Sequence, residues 1–210
     1  MLTGNIPSEI GHLTSLTTLL LYYNSLTSTI PSEIGNLTNM IDLELNDNQL
    51  TGTIPSEIVY LSSLTTLLLY NNSLKSTIPS EIGNLTNMID LLLHYNQLTG
   101  SIPSEIGYLS GLARLWLSCN QLIGTIPTQF GHLQSLHSLN LYQNKLTGSI
   151  PTQLTTLSNL YTVFINSNDL TGSVEGIFCP RDVYSTWRGY STSLWADCGK
   201  VNCSCCSVCL

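Results

Sequence analysis

Basic residues are scarce. Six Lys and Arg stand among 210 residues against thirteen Asp and Glu, for a formal charge of −7. Phosphate binding needs a clustered basic face, so a nucleic-acid partner is excluded. Charged residues of both signs amount to only 9%, and the polar surface is instead Ser, Thr, Asn and Gln. No apolar run approaches the ~18 residues of a membrane span. Met1 passes at once into Leu2-Thr3-Gly4, with no secretory leader and no polar cap before the first coil, so a longer native protein is expected. Catalytic signatures are missing as well: there is no glycine-rich phosphate loop, no H-E-x-x-H and no G-x-S-x-G. The histidines His12, His94, His132 and His137 have no nucleophile that a repeat would bring near them. The chain reads as a non-enzyme without cofactor or metal.

What the chain does have is a period. Asn24, Asn48, Asn72, Asn96, Asn120, Asn144 and Asn168 recur at a fixed interval. Around each Asn runs the frame L-x-x-L-x-L-x-x-N-x-L-x-G/S-x-I-P-x-x-I-G-x-L, as in Leu16, Leu19, Leu21, Asn24, Leu26, Ile30, Pro31, Ile34 and Leu37. A Leu/Asn period of this length is the signature of a leucine-rich-repeat solenoid. The Leu-x-Leu alternation predicts a short strand with its leucines inward. The Asn amide, with two donors and an acceptor, can satisfy the turn that follows and bond to the neighbouring coil. Ile-Pro starts a short helical or 3-10 turn, and Gly35 is expected to close it in a left-handed conformation. The predicted architecture is a right-handed α/β repeat solenoid, with a parallel sheet on its concave face and short turns on its convex side. Residues 1–15 form a partial first repeat, 16–175 about seven coils and 176–210 a Cys-rich cap. Segments 16–43 and 64–91 are nearly the same, pointing to duplication of a two-coil unit.

Three surfaces follow. Outward strand positions vary from coil to coil, as a recognition face would. One column reads Leu20, Glu44, Leu68, Leu92, Trp116, Asn140, Phe164, and the next Tyr22, Asn46, Tyr70, His94, Ser118, Tyr142, Asn166. Rigid, water-exposed aromatics are the makings of a hot spot. Trp116, Tyr142, Tyr95, His94, Tyr70 and Phe164 are the candidate ligand-binding residues, with Arg114 and Asp90 orienting the ligand. Asp42, Glu44 and Asp47 add a separate acidic spot. The second surface is a carboxylate ladder, Glu9, Glu33, Glu57, Glu81 and Glu105, read as a solvated column at a helix start. The third is a double row of hydroxyls, Thr27/Thr29, Thr51/Thr53, Thr99/Ser101, Thr147/Ser149 and Thr171/Ser173, interrupted by Lys75 and Ile123. If these stretches are second strands, both hydroxyls point outward, resembling the threonine arrays of ice-binding solenoids.

Cysteines gather at the end: Cys179, Cys198, Cys203, Cys205, Cys206 and Cys209, with Cys119 alone upstream. Six thiols in so short a stretch predict a disulfide-stapled cap of undetermined pairing; thiolate binding of zinc or copper is the rival reading. Trp187 and Trp195 are candidates to cover the end of the stack. Cys119, beside a Ser118 expected to be exposed, reads as a free and mildly reactive surface thiol. Sequons at Asn36, Asn71, Asn84 and Asn202 join the cysteines in favouring an oxidising, extracellular compartment.

The segments T-G-S-I-P-S-E-I-G-Y-L at 99–109 and T-G-S-I-P-T-Q-L-T-T-L at 147–157 resemble the plant-specific class of leucine-rich repeats, found in receptor-kinase ectodomains and polygalacturonase inhibitors. The tail resembles the caps of secreted or membrane-anchored relatives in unicellular algae, diatoms in particular. The resemblance implies extracellular or cell-surface recognition of a protein, peptide or glycan by the concave face. Ice binding and a structural or adhesive wall role are the alternatives.

Overall fold

The computed structural model describes residues 1–178, 193–197, 199–203 and 208–209. One parallel sheet runs the length of the chain, built from strands Thr18–Leu20, Asp42–Glu44, Thr66–Leu68, Asp90–Leu92, Arg114–Trp116, Ser138–Asn140, Thr162–Phe164, Ser193–Ala196 and Val208–Cys209. Each strand adds beside the previous one, in the same register: Leu43 pairs with Leu67, Leu67 with Leu91 and Leu91 with Leu115. The sheet is the concave face of a solenoid arc. The middle residue of each three-residue strand points inward, because successive side chains of a strand alternate between faces; Leu43, Leu67, Leu91, Leu115, Leu139 and Val163 are buried, and Leu19 at the start is half-buried. One coil therefore contributes Ile30, Ile34, Leu37, Met40, Leu43, Leu45 and Leu50 to a single continuous core. No coil encloses that core by itself; each buries its apolar residues against its neighbours.

The turns opposite the sheet are 3-10 helices at Ser8–His12, Ser32–Asn36, Ser56–Tyr60, Ser80–Asn84, Ser104–Tyr108, Thr128–His132 and Thr152–Thr156. Pro31 is the cap of its turn rather than the first helical residue: its backbone is extended, and its carbonyl accepts from the Ile34 N–H at 3.1 Å.

Gly35 is not left-handed, contrary to the sequence expectation. Its lack of a side chain serves close approach instead. A Cβ there would sit 2.6 Å from the Glu57 carbonyl oxygen of the next coil, and Gly83 would meet Glu105 at 2.4 Å. Val59 occupies the equivalent place in the Ser56–Tyr60 turn, which packs less closely on Ser80–Asn84 than the other turns do on theirs. The left-handed glycines are Gly4, Gly52, Gly100, Gly124, Gly148 and Gly172, with Ser28 and Ser76 in the same conformation. A second left-handed position immediately precedes each ladder Asn, at Tyr23, Asp47, Asn71, Tyr95, Cys119, Gln143 and Ser167, where φ runs from 51° to 56°.

The Asn ladder closes that bend. Asn120 Nδ2 donates to the carbonyls of Leu117 and Ser118 in its own coil and Leu93 in the previous one, at 3.1–3.2 Å. Its Oδ1 accepts from the Leu98 N–H at 3.0 Å. Every ladder Asn from Asn48 to Asn168 repeats this pattern of donation to its own and the preceding coil.

Strand pairing continues past the last ladder Asn. Ser193–Ala196 pairs with Thr162–Phe164, and Val201–Asn202 pairs with Asp169–Ser173. Asp197 accepts the Ser167 and Asn168 N–H groups, the place a ladder residue's neighbour would fill. Cys203 is disulfide-bonded. The expectations for Cys179, Cys198, Cys205, Cys206 and Trp187 lie outside the described residues, and Cys209 is described in its backbone only.

Candidate recognition surface on the sheet face

The outward columns of the sheet bring the predicted aromatics into contact, because in-register strands hold equivalent positions about 4.8 Å apart. The Tyr70 and His94 rings stack at 4.4 Å with planes 15° apart. His94 then meets Trp116 edge-on at 5.3 Å and Tyr95 at 5.6 Å. Trp116 is fixed from the other side, its Nε1 donating to Ser138 Oγ at 2.8 Å. Phe164 lies further along its column and packs edge-on against Trp195 at 5.5 Å. Tyr142 shares the His94 column, half-buried and two coils away. Tyr95 is exposed, standing on the left-handed residue before Asn96.

Burial lowers the pKa of His94 to about 4, against a weaker opposing pull from Asp47. The ring is neutral at pH 7, and its enclosed Nδ1 has no hydrogen-bond partner. Arg114 and Asp90 face each other across paired strands. The guanidinium grips both carboxylate oxygens, with Nη2 to Oδ2 at 2.7 Å, so the two residues spend most of their charge on each other. The hydrogen bonds that Arg114 donates to Asp90 hold its pKa above the usual value.

Several outward positions are covered rather than open. Ser118, expected to be exposed, is buried, and so are Asn46 and Asn166 in the same column, with Leu92 and Ser138 beside them. Ser118, Asn46 and Asn166 are the small residues in a column of rings. Cys119 is a free, half-buried thiol whose pKa is raised by burial, which makes it less reactive than a surface thiol. The stack of His137 on Tyr161, at 5.2 Å and 10°, was not foreseen. These residues stand one place before the strand, in a column that otherwise reads Thr17, Ile41, Thr65, Ile89 and Ala113.

The other surfaces are plainly placed. In the carboxylate ladder each Glu is met by the preceding Ser hydroxyl, as Ser80 Oγ meets Glu81 Oε2 at 3.2 Å. The hydroxyl rows Thr27/Thr29 to Thr171/Ser173 are exposed throughout, on short parallel ribbons that include Lys145–Ser149 paired with Asp169–Ser173. All four sequon asparagines, Asn36, Asn71, Asn84 and Asn202, are exposed, and Asn71 Nδ2 also donates to Asp47 Oδ1 at 2.6 Å. Among the described residues no cluster of His, Cys, Asp and Glu could hold a metal ion, and no helix is long and apolar enough to cross a membrane.

Known proteins resemble the chain along most of its length. Models of the leucine-rich repeat match residues 15–37, 39–61, 63–85, 87–109 and 110–170. No curated protein sequence matches. Among solved structures, the leucine-rich-repeat ectodomain of the plant membrane receptor kinase GASSHO1/SCHENGEN3 from Arabidopsis thaliana, in complex with CASPARIAN STRIP INTEGRITY FACTOR 2, is 40% identical with a TM-score of 0.80. That match covers 81% of this chain and 20% of the ectodomain. The plant peptide hormone receptor RGFR1, in complex with RGF2, is 34% identical with a TM-score of 0.85, covering 95% of this chain and 31% of the receptor. A plant ice-binding protein is 28% identical with a TM-score of 0.61, covering 81% of this chain and 70% of that one. The chain thus spans a fifth to a third of the receptor ectodomains it matches. It belongs to the leucine-rich-repeat family, in the company of plant receptor-kinase ectodomains.

Proposed function

We propose that the chain is an extracellular, non-catalytic recognition module that binds a peptide or protein segment across its concave sheet. The observation that carries this reading is the file of rings Tyr70, His94 and Trp116 in contact on consecutive coils, with a neutral His94 stacked on Tyr70 and edge-on to Trp116. Rings already held in place lose little conformational freedom on binding, which makes such a file a ready hot spot. Several solved relatives are receptors in complex with peptide hormones, which favours a peptide over a glycan. Trp116 is the central anchor, flanked by His94, Tyr95 and Tyr70. Tyr142 and Phe164 extend the patch, and the Asp90–Arg114 pair offers polar contacts at its rim.

The test is binding of secreted peptides from extracellular extract to the wild type, to Trp116→Ala and to the double variant Trp116→Ala/Tyr142→Ala, all with matched thermal unfolding. Trp116→Ala is expected to weaken the captured peptide by about 2 kcal/mol or more. Equal affinity in all three proteins would remove the site from this face.

A second reading rests on the hydroxyl rows. Thr51, Thr53, Thr77, Thr99, Ser101 and Thr125 are exposed on consecutive coils, and a plant ice-binding protein is among the structural relatives. Ice shaping by the chain, abolished by Thr51→Lys/Thr53→Lys and untouched by Trp116→Ala, would select this reading over peptide recognition.

A further inference from the structure

The sheet face has a second, chemically different end. Asp42, Glu44 and Asp47 project from one coil, and none of them is in an ion pair among the described residues. Lys75 is the sole Lys or Arg before Arg114, and it stands on the hydroxyl ribbon rather than on the sheet. The hydrogen-bond donors that meet Asp42 and Asp47 are all neutral. Asp47 accepts from Asn46 Nδ2 at 2.7 Å and Asn71 Nδ2 at 2.6 Å, and Asp42 from Thr65 Oγ1 at 3.5 Å. Burial, and Asp42 after it, raise the pKa of Glu44, the mark of a carboxylate short of cationic company.

The cluster also holds an unmet acceptor. Asn46 is 2% exposed, and while its Nδ2 reaches Asp47, its enclosed Oδ1 meets no donor. A buried acceptor left without a partner is costly, and a ligand that brings N–H groups would relieve it. Around it stand Tyr22 and Tyr23, edge-to-face at 5.8 Å and both exposed, and the half-buried Tyr70. Carboxylates, a free amide oxygen and tyrosine faces together form the surroundings that a guanidinium or ammonium seeks.

We propose that this end of the face seats a basic side chain of the bound peptide, about four residues from the apolar residue that meets Trp116. The spacing comes from the register. Glu44, Leu68, Leu92 and Trp116 are paired in succession across four strands. Three rungs of ~4.8 Å make about 14 Å, which an extended chain at ~3.4 Å per residue covers in about four residues. Leu68 and Leu92 make an apolar floor between the two anchors. This deepens the peptide-recognition reading and rests on it.

The test is selection of a phage-displayed library of random twelve-residue peptides on the full chain, on the isosteric variant Asp42→Asn/Glu44→Gln and on Trp116→Ala. Wild-type selection is expected to enrich Arg or Lys about four residues from an aromatic or large aliphatic residue. The acid-to-amide variant is expected to lose the basic preference and keep the apolar one. A selected peptide should bind that variant at least tenfold more weakly, and the same peptide with its basic residue replaced by Ala should bind both proteins alike. An equal frequency of basic residues in the two selections overturns the basic seat and leaves the Trp116 anchor standing. An apolar preference that survives in Trp116→Ala while the basic one remains overturns the anchor instead. No enrichment on any of the three proteins overturns both.

Discussion

Asn120 shows what a single side chain does in this fold. Its two amide N–H groups are shared among three carbonyls and its oxygen accepts one N–H, and it is 9% exposed. Asn120→Ala leaves carbonyls of two coils and the Leu98 N–H unmatched, and is expected to lower stability by about 2–4 kcal/mol in denaturant titration. His94 acts through its charge. Its folded pKa of about 4 lies below the ordinary 6.5, so the unfolded chain takes up the proton first. The stability this provides is complete above pH 6.5 and is lost as pH falls towards 4. The ring is half-buried, and the expected loss, discounted for solvent screening, is about 1 kcal/mol. The thermal midpoint of the wild type should fall across that window more than that of His94→Gln. The ladder asparagines were legible because one residue type recurs at one interval. The burial of Ser118 and Asn46 was not, because it depends on the size of neighbours in adjacent coils, His94 and Tyr142 in one case and Tyr22 and Tyr70 in the other.

At the scale of the turn, glycine is used in two ways that sequence alone confounds. Gly52 and its equivalents supply a left-handed bend, whereas Gly35, Gly83, Gly107 and Gly131 have ordinary backbones and let the next coil come close. Gly83→Ala places a methyl 2.4 Å from a backbone oxygen and is expected to cost about 1–3 kcal/mol. Gly111→Ala, whose methyl would find its nearest atom at 3.6 Å, is expected to stay within about 0.5 kcal/mol of wild type. The same denaturant titrations compare the two. The strand and the turn themselves were readable from the Leu-x-Leu and Ile-Pro spacing. The bend before each ladder Asn was not, since its left-handed residues are Tyr, Asp, Asn, Cys, Gln and Ser, and none is glycine.

For the whole molecule, stability is a sum along a line. Each coil touches only its neighbours, so opening proceeds from the ends. Amide exchange should be slowest at Leu69, Leu93 and Leu117 and faster at Leu21, whose coil is only partly covered. Uniform protection along the sheet would mean that the stack opens as one unit. The solenoid was legible from its period, but the strand at Ser193–Ala196 carries no such period; it joins the sheet by pairing with Thr162–Phe164 and buries Leu194 and Ala196 in the core. The line is also not straight throughout. Strand pairing ties the inner margin together at every rung, while Val59 wedges two outer turns apart between the rungs of Leu68 and Leu92. A ribbon with a longer outer margin must curl inward. That curl lies between the Ser56–Tyr60 and Ser80–Asn84 turns, and it tilts the outward faces of the coils on either side of it toward each other.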